Sequence, residues 1–440
     1  MKRIVYDRLL TWKKSPDRKP LLLQGARQTG KTWLMEEFGK NEYKNYVCLN
    51  FDKNPRLTAF FNDDISPEFI IKSVEQYYNT KIIPGDTLVI FDEIQESKRA
   101  LNSLKYFYEE APQYHIIAAG SFLGVAGHGS FPVGKVDRIT VYPLSFFEFL
   151  EGTGKERYVE SIKNFDFELV RAASSDYEKF LKIYYMVGGM PKSVAAYGAR
   201  ENLNEVRSIQ NNILDDYRDD FSKHISPLNT PKVEMIWNSI PRHLSKEKKK
   251  FIYKELTNGA RAYSYEDAMS WLFATRLVNK ISRTQDYMMP LASYADEKTF
   301  KLFMLDIGLL SAKSSLDISA LMEPEDHLFS IFNGALTEQF VMQELISAGF
   351  SPYYWGREKG EAEVDFIIQW QNNIIPIEVK SGIRTKSKSL DVFRKLYNPK
   401  YSIRASLKNF GIAGDLSGRL FSIPLYMIAS FPEILAAQPE

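Results

Sequence analysis

Pro20-Leu21-Leu22-Leu23-Gln24 followed by Gly25-Ala26-Arg27-Gln28-Thr29-Gly30-Lys31-Thr32 is the stretch whose reading decides the fold. The apolar run stops at Gly25, and the apolar positions that follow, Lys31 to Phe38, repeat at helical spacing, so the segment reads strand, glycine loop, helix. The octet fits G-x-x-x-x-G-K-[ST] in the context that pattern requires. Gly25 and Gly30 let the backbone wrap an anion so that its N–H groups and the helix N-terminus face a phosphate. The Lys31 side chain then reaches the β- and γ-phosphates of a bound nucleotide, and the Thr32 hydroxyl is placed to ligate Mg²⁺. A chance glycine turn would not supply the lysine, the hydroxyl and both flanking elements together.

Outward from this loop, apolar runs at Tyr46 to Phe51, Thr87 to Phe91, His115 to Ala119 and Ile139 to Leu144 alternate with helical patterns such as Pro67 to Tyr78 and Arg99 to Glu110. Strands alternating with helices predict an α/β, doubly wound parallel sheet covered on both faces. The run Thr87-Leu-Val-Ile-Phe-Asp92-Glu93 ends in two carboxylates at the edge where such sheets bind ligands. Asp92 suits the Mg²⁺ shell, and Glu93 is placed to orient or deprotonate the attacking water, the step that separates hydrolysis from binding. His115 to Ala119 is expected to lie between the phosphate-loop and magnesium strands and to end in a polar sensor, Ser121; a serine that merely opens a glycine-rich loop fits equally well. That loop, Gly124 to Gly134, is expected to change with nucleotide state. Lys135 and Arg138 beyond it read better as solvated charges than as stabilisers of the γ-phosphate.

Composition bounds the rest. At 440 residues the chain exceeds one compact core of about 100–150 residues, so two or three domains are expected. Hydrophobic residues at 44% and charged residues at 25% exclude a disordered chain. Lys plus Arg total 57 against 55 Asp plus Glu, so any polyanion surface must be a local patch. One cysteine, Cys48, permits no internal disulfide framework, and no targeting segment or long apolar stretch is seen, which predicts a cytoplasmic protein without a membrane partner. The five histidines lack metal-site spacing, and Gly120 to Gly124 lacks the spacing of a serine nucleophile elbow.

From Asp176 to about Leu328 the spacing is mostly helical, including Phe251 to Thr257, with two strand candidates at Asn279 to Arg283 and Phe300 to Leu305; helices followed by a hairpin look like a winged helix. The last region opens with a helix from Phe332 to Ala348. Strands at Pro352 to Gly356, Ala362 to Gln369 and Ile374 to Lys380, a helix near Ser389 to Leu396 and a strand at Tyr401 to Ala405 follow.

Several blocks carry a family likeness: Gly-Ala-Arg-Gln-Thr-Gly-Lys-Thr, Ile-Phe-Asp-Glu-Ile-Gln, Ala-Gly-Ser, Val-Gly-Lys, Tyr142-Pro-Leu-Ser-Phe-Phe-Glu-Phe149 and Val-Gly-Gly-Met-Pro. Together they resemble the predicted prokaryotic AAA-type ATPases that carry a C-terminal domain of unknown function. The resemblance spans nearly the whole chain, with Arg27-Gln28 and the Tyr142–Phe149 block its more specific marks. It implies an AAA-type P-loop NTPase core, placed at 1–160, a helical and winged-helix middle at 161–330, and a C-terminal α/β restriction-endonuclease-like domain at 331–440, similar to PD-(D/E)xK nucleases. ATP with Mg²⁺ is the implied cofactor set.

In that last region Glu378 and Lys380 lie two apart and emerge on one face of a strand. Asp365 on the preceding antiparallel strand can share a divalent metal with Glu378, Glu338 in the preceding helix can add a carboxylate, and Lys380 can activate water. A hairpin with a surface salt bridge is the plainer alternative, and a degenerate fold used for binding is a third. Residues 380–408 carry nine basic side chains and one acidic, Asp391, a local +8 suited to the phosphate backbone of DNA. Lys246-Glu-Lys-Lys-Lys250 is a lesser candidate, matched by a solvated helix end. Two functions lead: an ATP-hydrolysing switch coupled to a domain that binds or cleaves DNA, and a nucleotide-controlled switch that assembles as a homo-oligomer or holds a protein partner; a processive ring motor, which needs an arginine supplied across subunits, is a third reading.

Overall fold

The computed structural model describes residues 2–121, 134–317, 330–357, 362–383, 387–415 and 418–437. The glycine-rich loop Gly124 to Gly134, Gly134 excepted, lies outside the described residues, as do Arg384 and Lys386. Packing divides the chain into two compact units, Lys2–Tyr142 with Ala274–Arg276, and Pro143–Phe273 with Leu277–Glu440.

In the first unit β1 (Leu21–Gln24), β2 (Asn45–Asn50), β3 (Thr87–Asp92), β4 (His115–Gly120) and β5 (Asp137–Thr140) form one sheet in the order β2-β3-β4-β1-β5. Every neighbouring pair is parallel. Successive side chains of a strand point to opposite faces, and here both faces are apolar. Leu21, Leu23, Leu88, Ile90, Ile117 and Ala119 pack beneath the helices Val5–Lys14 and Lys31–Glu42, against Leu9, Leu34 and Phe38. The alternate residues Leu22, Val89, Phe91, Ile116 and Ala118 pack beneath Pro67–Tyr78 and Lys98–Glu110, against Ile70, Val74, Leu104 and Phe107. The doubly wound α/β sheet follows from that two-sided burial, with β4 between the loop strand β1 and the carboxylate strand β3.

The second unit carries helices including Phe146–Gly152, Ser174–Val187, Leu203–His224, Thr230–Leu244 and Ser330–Ser347. Its strands are β6 (Val278–Thr284), β7 (Ala295–Met304), β8 (Tyr353–Gly356), β9 (Glu363–Trp370), β10 (Asn373–Val379), β11 (Tyr401–Ser406), β12 (Gly411–Asp415) and β13 (Gly418–Pro424). They form one eight-stranded sheet, β12-β13-β11-β10-β9-β8-β6-β7. The hairpin expected as the wing of a winged helix does not stand apart. β6 pairs in parallel with β8 at Arg283 with Tyr354 and Thr284 with Trp355, so the hairpin extends the C-terminal sheet and covers an edge that would otherwise present unpaired amides.

The expected helix Phe251 to Thr257 is also corrected. Only Tyr253–Glu255 makes a single 3₁₀ turn, because Phe251 N donates to Phe300 O at 2.8 Å and Lys250 bridges Lys301, and edge pairing wins over local helical spacing.

Two sequence blocks interlock in this unit, one of them bearing the adjacent glycines Gly188 and Gly189. Leu144 N donates to Gly189 O at 2.7 Å, and a Cβ on Gly189 would lie 2.1 Å from Leu144 O. Gly189 N in turn donates to Asp306 Oδ2 at 2.6 Å, and Leu309 N to Asp306 Oδ1 at 3.0 Å. Burial raises the Asp306 carboxyl to about 6 despite these donors. Ser145 and Glu148 close a reciprocal capping box on the helix Phe146–Gly152. Pro143–Phe149 of the first block and the Val187–Pro191 block are therefore packing signatures of the second unit.

Candidate functional site

The phosphate loop is shaped by backbone conformations that favour glycine. Gly30 is left-handed at φ 88° and opens the helix Lys31–Glu42, while Gly25 passes so close to Val141 that a Cβ would lie 2.3 Å from its carbonyl oxygen. Between them Gln28 also takes a positive φ of 66°. Thr29 closes the turn on itself, its hydroxyl donating to Ala26 O at 2.9 Å. From outside the loop, buried Arg3 donates to Thr29 O at 3.1 Å and to Tyr142 O at 2.7 Å, a tether that sequence reading did not find. Arg276 lies by the strand that leads into the loop, its Nη2 3.4 Å from Gln24 Oε1.

Lys31 is buried, and its ammonium donates to Gly25 O at 3.0 Å, Ala26 O at 2.8 Å and Ser121 Oγ at 3.1 Å. Burial depresses this lysine to about 8, against the pull of Glu93 and Asp92. Ser121, at the end of β4, thus meets the loop lysine directly. Thr32 Oγ1 donates to Asp92 at 3.0 and 3.1 Å, and Asn50 Nδ2 donates to Asp92 Oδ2 at 2.7 Å. Asn50 was not anticipated; the parallel register that pairs Asn50 with Asp92 puts it there. Burial, with the Glu93 charge beside it, raises the Asp92 carboxyl above its ordinary value. A hydroxyl and a carboxylate converging at this spacing are an oxygen donor pair that fits Mg²⁺.

Glu93 sits in the left-handed region at φ 51°, an unfavourable setting for a residue with a side chain, and Gln95 Nε2 donates to Glu93 Oε2 at 2.7 Å. The bend carries the second carboxylate out of the strand while Asp92 stays within it. Lys135 is ion-paired to Glu109 at 2.9 Å, and Arg138 is exposed on β5. Cys48 is half-buried and its thiol is pushed up to about 12 by desolvation, and buried His115 meets the Tyr43 hydroxyl at 2.7 Å. Both are core groups.

In the second unit Glu338, Asp365, Glu378 and Lys380 come together, with three partners that sequence reading missed: Lys249, Lys301 and Glu363. Asp365 Oδ2 accepts from Val379 N at 2.8 Å, which ties β9 to β10 beside Glu378. Lys380 Nζ lies 2.7 Å from Glu378 Oε1. Glu338 Oε1 pairs with Lys249, and Lys301 Nζ lies 2.6 Å from Glu363 Oε1 and 3.7 Å from Glu338 Oε2. Burial and the charges of Glu338 and Glu378 raise Asp365 well above the ordinary carboxyl range. Burial opposes the charge of Lys301, but Glu363, Glu338 and Asp365 outweigh it and hold the ammonium above its usual value. Among the described residues no group of three or more His, Cys, Asp and Glu is disposed to hold a metal ion.

The basic segment 380–408 is less of a surface than its count. Arg394 is buried and donates to Gly418 O at 3.0 Å, Lys380 pairs with Glu378, and Arg404 is half-buried. Lys388, Lys395, Lys400 and Lys408 are exposed. Of the lesser basic run, Lys246 pairs with Glu255 and Lys249 with Glu338, so neither a solvated helix end nor a free patch describes it.

Residues 17–150 match the family profile of an AAA domain. Residues 178–320 and 333–426 match two profiles described as domains of unknown function (DUF8612 and DUF4143). No curated protein matches the chain. Among solved structures, a Walker-type ATPase of Pyrococcus abyssi is similar at 14% identity and a TM-score of 0.43, over 71% of this chain and 95% of its own. PCH-2 of C. elegans is similar at 14% identity and a TM-score of 0.24 over 37% and 46%, and a Vibrio cholerae protein at 10% and 0.18 over 94% and 97%. At those scores none of them adds to what the sheet order and the phosphate loop carry. Among the described residues no helix is long and apolar enough to cross a membrane. The AAA profile and the loop geometry converge: residues 17–150 carry an AAA domain with the phosphate loop of a P-loop nucleotide-binding fold.

Proposed function

We propose that the chain is an ATP-hydrolysing switch whose C-terminal region, nuclease-like in its order of elements, engages DNA. The observation that carries the ATPase half is the convergence of Lys31, Thr32, Asp92, Glu93 and Ser121 at one edge of the parallel sheet. Lys31 leaves the carbonyls of Gly25 and Ala26 to meet the β- and γ-phosphates, and Ser121 keeps that ammonium oriented. Glu93, held by Gln95, takes the proton of the attacking water. When bound, Mg²⁺ at Thr32 and Asp92 neutralises charge on the phosphates. The DNA half is supported by the exposed lysines 388, 395, 400 and 408 on the same region as Asp365, Glu378 and Lys380.

A second reading is favoured by a specific observation: Glu338, Glu363 and Glu378 already have ammonium partners, as a binding fold without cleavage would. In that reading ATP controls assembly or capture of a protein partner. The test is ATPase, nuclease and DNA-binding assays on wild type, Lys31→Ala, Glu93→Gln and Lys380→Ala side by side. We expect Glu93→Gln to retain ATP while turnover falls at least ~100-fold. Full ATPase activity in Lys31→Ala would sink the first half. Absence of any salt-sensitive DNA binding, with and without ATP, would sink the second and leave the partner switch, for which ATP must change the elution volume in size-exclusion runs.

A further inference from the structure

We propose that Lys301 and Lys249 take the place of a divalent cation among the carboxylates of Glu338, Glu363, Asp365 and Glu378, so that ammonium groups close this cluster and no catalytic metal is held there. The proposal deepens the reading above and rests on it only for the nuclease-like likeness that makes a metal the natural expectation; the ion pairs stand by themselves.

Four carboxylates face one another here, an arrangement that demands positive charge. A nuclease-like site meets that demand with a metal on the carboxylates of the hairpin and leaves its single lysine for water. This cluster has three lysines. Lys380 lies 2.7 Å from Glu378 Oε1, Lys301 lies 2.6 Å from Glu363 Oε1 and 3.7 Å from Glu338 Oε2, and Lys249 holds Glu338 Oε1. Neither added lysine is an adventitious surface arm. Lys301 is 1% exposed, belongs to the buried half of β7, and has its ammonium 4.8 Å from the centroid of the Tyr354 ring. The backbone bridge between Lys250 and Lys301, with Phe251 N on Phe300 O, fixes the segment that carries Lys249 to the strand that carries Lys301.

A dication set among Glu338, Asp365 and Glu378 would sit against the ammonium groups of buried Lys301 and of Lys249, whose side chain is 12% exposed, and like charges in a low-dielectric interior repel strongly. Two of the buried carboxylate oxygens here, Oε2 of Glu338 and Oε2 of Glu378, have no hydrogen-bond donor. The first is covered at charge-contact distance by Lys301. They are the atoms a metal would need, and they make the proposal testable.

The experiment is Mn²⁺ titrated into nucleotide-free full-length protein, followed by calorimetry and by the Mn²⁺ electron paramagnetic resonance signal, in wild type, Glu378→Gln and Lys249→Met/Lys301→Met. Wild type and Glu378→Gln should bind Mn²⁺ alike, because the cluster contributes no site. The double lysine variant should gain one stoichiometric Mn²⁺ site that wild type lacks, and adding Glu378→Gln to that variant should abolish it. A stoichiometric Mn²⁺ site in wild type that Glu378→Gln removes overturns the proposal, as does a folded double variant that gains no site. Should the double variant fail to fold, the comparison of wild type with Glu378→Gln decides. Gel-shift binding of DNA in EDTA runs alongside: its failure removes the DNA reading and leaves the lysine-closed cluster standing, while a metal site in wild type removes the latter whatever DNA does.

Discussion

Raising the pH should release ATP from this protein earlier than an exposed lysine would predict. Lys31 is buried beneath its own loop, and burial lowers it from its ordinary value of 10.5 to about 8. Only the ammonium form can hold the β- and γ-phosphates. Below pH 8 the free protein presents that form; as pH rises through 8 the proton leaves, and binding must first restore it. At pH 9 roughly one tenth of the free sites keep the charge, so the observed ATP affinity should fall ~10-fold from its value near pH 7, or ~1.4 kcal/mol. Binding should then take up nearly one proton per site, because the phosphates hold Lys31 charged in the complex.

Stability of the nucleotide-free protein runs the other way. A lysine depressed in the fold binds fewer protons there than in the unfolded chain between about pH 8 and its ordinary value of 10.5, so that window adds up to ~3 kcal/mol from this group as pH rises. Calorimetric titration of ATP at pH 7.5, 8.5 and 9.5, in buffers of different ionisation enthalpy, reads both affinity and proton uptake. Lys31→Arg supplies a cation that does not titrate in this range. Wild-type affinity that stays flat to pH 9.5, with heats independent of buffer, would refute the buried-ammonium argument.

Asn50→Ala removes the amide that donates to Asp92 Oδ2 at 2.7 Å, a hydrogen bond to a charged acceptor worth ~1.5–3 kcal/mol. We expect kcat/KM for ATP to fall ~10- to 100-fold with a raised Mg²⁺ requirement, measured by steady-state hydrolysis across a Mg²⁺ series; an unchanged requirement would remove Asn50 from the site. Gly189→Ala would drive a Cβ to 2.1 Å from the backbone oxygen of Leu144, and should lower the melting temperature by an amount equivalent to ~3 kcal/mol or more. Gly334→Ala, with open space around its Cβ inside the helix Ser330–Ser347, should be neutral or stabilising by ~1 kcal/mol, and equal losses in the two variants would contradict the packing account.

What could be read from the chain follows the range of the forces involved. The octet Gly25 to Thr32 and the run Thr87 to Glu93 are local patterns, and both sit where their spacing predicts, because a strand of four to six apolar residues buried on both faces leaves little choice but a covered parallel sheet. The strands β8 to β11 were likewise legible to within a residue or two. β12 and β13 were not: Gly411–Asp415 and Gly418–Pro424 are short, carry three glycines between them, and draw their stability from pairing with each other and with β11. The hairpin β6–β7 was legible as a hairpin but not in its destination, since its sheet partner β8 lies about 70 residues further along the chain at Tyr354 and Trp355.

The same distinction separates the site residues that were found from those that were not. Asn50 and Arg3 reach Asp92 and Thr29 from 42 and 26 residues away, and no spacing rule connects them. Charge counting failed in a more instructive way. Treating each lysine and arginine as surface made 380–408 a +8 patch and Lys246–Lys250 a solvated end. In the fold buried Arg394 donates to the Gly418 carbonyl, and Lys249 pairs with Glu338, 89 residues distant. A buried cation contributes nothing to attracting a polyanion, but it decides what its carboxylate can hold. Glu338 illustrates the point: burial alone would raise it, yet Lys249 and Lys301 hold it below its ordinary value and so keep it ionised. Among the carboxylates that made a metal site conceivable from sequence, Glu338 is kept ionised by lysines from a different stretch of the chain, whereas burial and the charges of Glu338 and Glu378 raise Asp365, so the chemistry of this cluster depends on the tertiary pairing as much as on the D…ExK spacing.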